Sequence, residues 1–165
     1  MGQQARRRPQ AQPRTRVRIR YPRMPNEADP NLARWKDALA DEIAALDDGA
    51  ILVGHSIGAT ILINVLADDL PEREFAGVFL IAAPFIGPGG WPSEDIDAKP
   101  GLGALLPDRT PIFLYHGTRD ETAPLDHVGL YERVLPNATV RRLQGRDHQL
   151  DNDLTEVARD IRALA

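Results

Sequence analysis

The chain has 165 residues, 42% hydrophobic and 27% charged, which suits one globular domain large enough to bury a core. It contains no cysteine, which excludes disulfides, thiolate metal sites and a cysteine nucleophile, and its four histidines are too scattered to suggest a metal site. The net charge of −4 conceals eight arginines and no acid in residues 1–23, so the remainder stands at −12, and an acidic body argues against nucleic acid as the main partner.

Residues 1–16 are rich in Gln, Pro and Arg and are expected to be disordered, with the folded domain running over 17–165. Val17-Arg18-Ile19-Arg20-Tyr21 alternates apolar and polar, as a half-buried strand does. Asp29-Pro30 offers a cap and a first helical residue, and Leu32, Trp35, Leu39, Ile43 and Leu46 then recur at helical spacing until Asp47-Asp48-Gly49. Ile51-Leu52-Val53 is a short strand ending at Gly54. A second helix follows Ser56, with Ile57, Ile61, Val65 and Leu66 apolar.

Phe75 to Ala83 is nearly continuous in apolar residues, the pattern of a strand buried on both faces. Residues 84–108 are rich in Pro and Gly and form a candidate pocket cover. Pro111–His116 reads as a strand, Pro124 starts a helix with Leu125, Val128, Tyr131 and Leu135, and Thr139–Leu143 reads as a strand near an edge. A closing helix over Asp151–Ala165 carries Leu154, Val157, Ile161 and Leu164, with Asp151, Asn152 or Asp153 as its cap. Alternation of strand and helix implies an α/β fold: a mostly parallel sheet of about five strands with helices on both faces. Ligands bind outside the carboxyl ends of such strands.

The chemistry concentrates there. Gly54-His55-Ser56-Ile57-Gly58 matches G-x-S-x-G between a strand and a helix, the context in which a serine is forced above the sheet as a nucleophile. Side chains at the flanking positions would clash with the strand-to-helix approach, which accounts for Gly54 and Gly58. The helix start behind Ser56 places free N–H groups near developing negative charge, Ile57 first among them. A serine needs a base, and the base an orienting acid, in the chain order Ser, Asp or Glu, His. Asp120 follows the strand ending at His116, with Glu121 as its rival; His148 follows the strand ending near Leu143. Of the other histidines, His55 neighbours the nucleophile and is not expected to point the same way. His116 ends a buried strand and reads as structural, and His127 at a helix start reads as solvated. Asp147 reads as a surface charge.

At these residues the chain resembles the small single-domain α/β-hydrolases akin to the retinoblastoma-binding serine hydrolase and its bacterial relatives. The resemblance runs from about Val17 to the end. It is carried by Arg20-Tyr21-Pro22-Arg23-Met24-Pro25, the Trp35 helix, Val53-Gly54-His55-Ser56-Ile57-Gly58, Leu80-Ile81-Ala82-Ala83-Pro84-Phe85, Tyr115-His116-Gly117-Thr118-Arg119-Asp120 and Gly145-Arg146-Asp147-His148-Gln149-Leu150. It implies a Ser–Asp–His triad on Ser56, Asp120 and His148, esterase-like activity on a small acyl substrate, and no cofactor.

Family members begin with an apolar central strand and a glycine-rich loop that supplies one oxyanion N–H. Here Met1–Arg16 holds a single glycine, Gly2, and almost no apolar residues. The sheet is therefore expected to lack that strand, and the N–H of Ile57 is the one oxyanion donor that can be named. The expectation is a serine hydrolase; the alternative is a catalytically impaired or inactive interaction protein on the same fold, or a truncated gene product. No apolar stretch reaches the ~18 residues that span a membrane and no secretory signal stands out, so no membrane partner is expected and the cytoplasm is the default. Oligomeric state is not legible.

Overall fold

Four of the expected strands form: β1 (Ile51–His55), β2 (Gly77–Ile81), β3 (Ile112–Gly117) and β4 (Thr139–Leu143). A computed structural model of the chain describes residues 17–29, 31–68, 74–107 and 109–164. The stretch 1–16, expected to be disordered, lies outside them. The strands pair in parallel in the order β1-β2-β3-β4, with Leu52 opposite Val78, Leu80 opposite Leu114, and Leu114 opposite Val140. All five residues of β2 are buried, as their uninterrupted apolar character requires.

Strand order equals chain order, so right-handed crossovers put every connection on one face of the sheet. That face carries α1 (Leu32–Ala44), α2 (Ile57–Asp68) and α3 (Asp126–Val134). α2 is buried from Ala59 to Leu66, and it is apolar all round because it lies between the sheet and α1. Leu52, Val78, Leu80 and Leu114 pack here with Ile61, Val65, Tyr131 and Leu135. On the opposite face Phe79, Ile81 and Tyr115 meet Val157, Ile161 and Leu164 of α4 (Thr155–Leu164). Phe79 stacks on its register partner Phe113 with ring centroids 4.6 Å apart. Helices on both faces agree with the sequence pattern.

The described residues contain four strands rather than about five. Val17–Tyr21 forms no strand pairing with the other described residues, and Val17, Ile19 and Tyr21 are 81%, 86% and 91% exposed. Arg20 is drawn instead to α1, where it meets Glu42 at 2.6 Å. Alternation alone does not make a strand when no partner supplies the ladder. A groove of about 360 Å³ separates Arg18, Arg20 and Pro22 from β1, whose Val53 is 52% exposed. Among the described residues, no strand pairs with this edge of β1.

Two further boundaries differ. The N-cap of α1 is Asn31, whose side chain accepts the N–H of Arg34, rather than Asp29. The closing helix begins at Thr155, with its N–H bonded to Asp153, because Leu150, Asp151 and Asn152 all take left-handed φ values near 55° and break the run. The 84–107 connection is not a free cover. It buries Ile96, Leu102 and Leu106 in the core beside α2, and the Pro84 carbonyl accepts from Thr60 Oγ1 and the Tyr131 hydroxyl.

Candidate active site

Ser56, Asp120 and His148 sit in three turns, each just past the carboxyl end of a strand, and the structure brings them together. Ser56 occupies the single step between β1 and α2 with φ 54°, a strained conformation for a residue other than glycine. Two sets of hydrogen bonds hold it there. Its N–H prolongs the β1–β2 ladder to Ile81 O (2.8 Å), and its carbonyl accepts Ala59 N–H (3.0 Å) as the first bond of α2. Strand and helix must then approach closely, and a Cβ at Gly54 would lie 2.6 Å from Ala59 Cα. A Cβ at Gly58 would meet nothing within 4 Å. The steric account given for both glycines therefore holds at Gly54 and not at Gly58.

His148 bridges the other two. Its Nδ1 lies 2.7 Å from Asp120 Oδ2 and its Nε2 2.9 Å from Ser56 Oγ. Because a carboxylate only accepts, Nδ1 carries the proton and Nε2 is left to accept the serine hydroxyl. The Asp120 side chain is fully buried, and its Oδ1 accepts the N–H groups of Thr122 and Ala123, both at 2.8 Å. Burial alone would raise its pKa; the hydrogen bonds from His148, Ala123 and Thr122 outweigh that and hold it below the ordinary carboxylate value. The rival, Glu121, is exposed and lines an open cleft of about 380 Å³ with Arg119, Thr122, Asp147, His148 and Asp151. The 84–107 segment lines neither this cleft nor the groove beside β1.

The turns meet because β3 and β4 continue to bond beyond their ends. Thr118 N–H reaches Leu143 O (3.0 Å), Arg119 N–H reaches Arg146 O (2.9 Å), and Gly145 N–H reaches Thr118 Oγ1 (2.8 Å). The approach leaves no room at Gly117, where a Cβ would stand 2.3 Å from Arg146 O and 2.4 Å from Asp147 O. Gly117→Ala is expected to destabilise the protein by about 2–3 kcal/mol, as overpacking against backbone does, and to push the His148 turn off Ser56. Urea unfolding and chemical labelling of Ser56 would both register the change; a neutral result in both would refute this account of the glycine.

Ile57 is the first residue of α2, so its N–H has no carbonyl one turn back to satisfy it and lies at the positive end of the helix. Of the other histidines, His127 and His55 depart from expectation, while His116 is buried at the end of β3 as its place in the strand implied. His127 is buried, not solvated, and its Nδ1 accepts the N–H of Phe85 at 2.9 Å; burial pushes its pKa down. His116 is buried, donates Nε2–H to Ala123 O (2.9 Å) and lies 3.3 Å from Asp120 Oδ2, with burial again lowering its pKa. His55, expected to point away, places Nε2 2.9 Å from the His148 carbonyl. Asp147 is exposed, but its Oδ1 accepts the N–H groups of Gln149 and Asp151 and so shapes the turn that carries His148.

Residues 6–96, more than half of the chain and including Ser56, match the model of a family described as serine hydrolase. No curated protein matches the sequence. Among solved structures, the chain is similar to Est1E from Butyrivibrio proteoclasticus (14% identity, TM-score 0.58, 81% of this chain and 69% of that one). It is also similar to esterase PE8 (21%, 0.56, 81% and 59%) and to XC6422 from Xanthomonas campestris, titled an a/b serine hydrolase without lid (20%, 0.55, 82% and 58%). The chain thus spans 58–69% of the lengths of these three proteins. Identities at this level speak for the fold, while the family match speaks for descent: the chain belongs to the serine hydrolase family, a group of hydrolases, and carries it on an α/β-hydrolase fold whose described residues form four parallel strands.

Proposed function

We propose that the chain hydrolyses esters or related acyl bonds of small substrates through Ser56, His148 and Asp120. One observation carries this reading: an unbroken series of hydrogen bonds runs from Ser56 Oγ through the His148 imidazole to the Asp120 carboxylate, at 2.9 and 2.7 Å. Ser56 Oγ attacks the acyl carbon as His148 Nε2 takes its proton. The imidazolium that forms is stabilised by Asp120, which is held ionised by its own hydrogen bonds. The Ile57 N–H faces the developing oxyanion. The tetrahedral intermediate collapses when His148 returns the proton to the leaving oxygen, giving an acyl-serine and an alcohol. Water, deprotonated by the same nitrogen, then attacks the acyl-serine, and Ser56 leaves as the acid is released. A single oxyanion donor is worth about 2.7–4 kcal/mol of transition-state stabilisation.

A fluorophosphonate probe tests the reading, since it reacts only with an activated serine. The folded protein is expected to become labelled, and Ser56→Ala to lose the label. Labelling that survives in Ser56→Ala, or folded protein that takes no label, would defeat the proposal; the second result would favour an interaction protein that keeps only the fold.

A further inference from the structure

We infer that His55 is a positioning residue, which holds the backbone of His148 so that its imidazole stays on Ser56; this rests on the reading of His148 as the base. β1 and β4 lie at opposite edges of the sheet. Three interstrand spacings, about 14 Å, separate them, so the turn after β4 must travel back across the sheet to bring His148 to the end of β1. On the β3 side this turn is well tied. Arg146 O accepts Arg119 N–H, the Asp120 carboxylate takes His148 Nδ1–H, and Leu150 is fully buried against the α4 face. At its far end, over β1, the backbone tie the structure offers is His55 Nε2–H to His148 O, at 2.9 Å.

Strand geometry explains how His55 comes to be there. Side chains alternate along β1: Leu52 and the α-hydrogen position of Gly54 face α2, while Ile51 packs on the side covered by α4. His55 falls on that second side, the side onto which the His148 turn descends. The two imidazole rings lie with centroids 4.9 Å apart at an interplanar angle of 57°, so His55 also closes one flank of the base. The acceptor is a carbonyl, so His55 must donate from Nε2, and it can do so whether neutral or protonated. Ser56 is the next residue in the chain. One strand end therefore supplies the nucleophile and fixes the backbone of its base, which sets the distance between them by covalent geometry plus one hydrogen bond. His55 itself is exposed, so the bond adds little to global stability and its effect falls on alignment.

Two variants separate alignment from bulk. His55→Leu removes the donor and keeps comparable volume; His55→Gln keeps a terminal N–H at similar reach. For His55→Leu, kcat on a small nitrophenyl ester is expected to fall about 10- to 100-fold with KM little changed, and the melting temperature to move by no more than about 3 °C. His55→Gln is expected to recover most of the loss. The independent readout is the low-field proton NMR signal of His148 Nδ1–H, assigned by its absence in His148→Gln. It should broaden or vanish in His55→Leu and return in His55→Gln. An undisturbed signal and unchanged kcat in His55→Leu would overturn the positioning role. Folded wild-type protein that never labels with a fluorophosphonate would overturn the hydrolytic reading instead, and the NMR comparison would still decide whether His55 holds His148.

Discussion

Asp120→Asn is expected to leave the fold in place and lower kcat by about 10⁴-fold, against about 10⁶-fold for Ser56→Ala. The reason lies in the two ends of the Asp120 carboxylate. Oδ1 accepts the N–H groups of Thr122 and Ala123, so the side-chain oxygen of an asparagine must stay at that position. Its NH₂ is then forced to face His148 Nδ1, which has to become an acceptor. The imidazole proton moves to Nε2, where it points at Ser56 Oγ, and the base is lost through the wrong tautomer with every backbone contact intact. Steady-state hydrolysis of a small nitrophenyl ester measures the fall, and circular dichroism checks the fold. An Asp120→Asn protein within tenfold of wild type would refute the orienting role of Asp120, and Glu121 would return as the candidate acid.

Asp160→Ala is expected to destabilise the protein by about 2–3 kcal/mol, because it leaves a buried hydroxyl without a partner. Asp160 projects from α4 and is 7% exposed. It accepts the Tyr115 hydroxyl at 2.7 Å and both Nε–H and Nη2–H of Arg141, the latter at 2.9 Å, so one carboxylate joins α4 to β3 and β4. Tyr115 is 1% exposed and cannot find water in its place, whereas Arg141 is partly exposed and can. The melting temperature should drop by roughly 5–10 °C at this chain length.

The same group shapes the acid limb of stability. Burial would raise its pKa, but the bonds from Arg141 and Tyr115 prevail and the folded value lies below the ordinary one. A depressed folded pKa means that its contribution is complete above the unfolded value of about 3.9 and is lost as pH falls through the folded value. Urea unfolding at pH 7 and pH 3 should therefore show the wild type losing stability that Asp160→Ala never had. Equal pH dependence in the two proteins would reject this assignment.

The elements that were legible in the chain share one property: their apolar pattern is satisfied locally. β2 is apolar without interruption and is buried on both faces; α2 is apolar around its circumference and lies between two layers. Ser56 was legible because G-x-S-x-G between a strand and a helix describes a local turn, and Asp120 and His148 because strand ends in a parallel sheet share one rim. Where the structure departs from the local pattern, the deciding partners are distant in sequence. Val17–Tyr21 has the alternation of a strand, yet Arg20 finds Glu42, and among the described residues no neighbouring strand receives the ladder. His127 stands at a helix start that happens to lie beneath the Phe85 backbone, and is buried by it.

His55 marks the division most clearly. Its residue type and its side of β1 follow from the sequence through the two-residue alternation of a strand. That it meets His148 O does not follow, because this depends on how the turn after β4 is bent over the sheet, and the bend is set by left-handed residues at 150–152, the burial of Leu150 and the fit of Arg146 O and Asp147 O against Gly117. Local pattern determined which elements form and which residue types stand at the strand ends. Tertiary packing decided which of those residues touch, since the contact between residues 56 and 148 depends on the summed geometry of all four strands rather than on any stretch of chain between them.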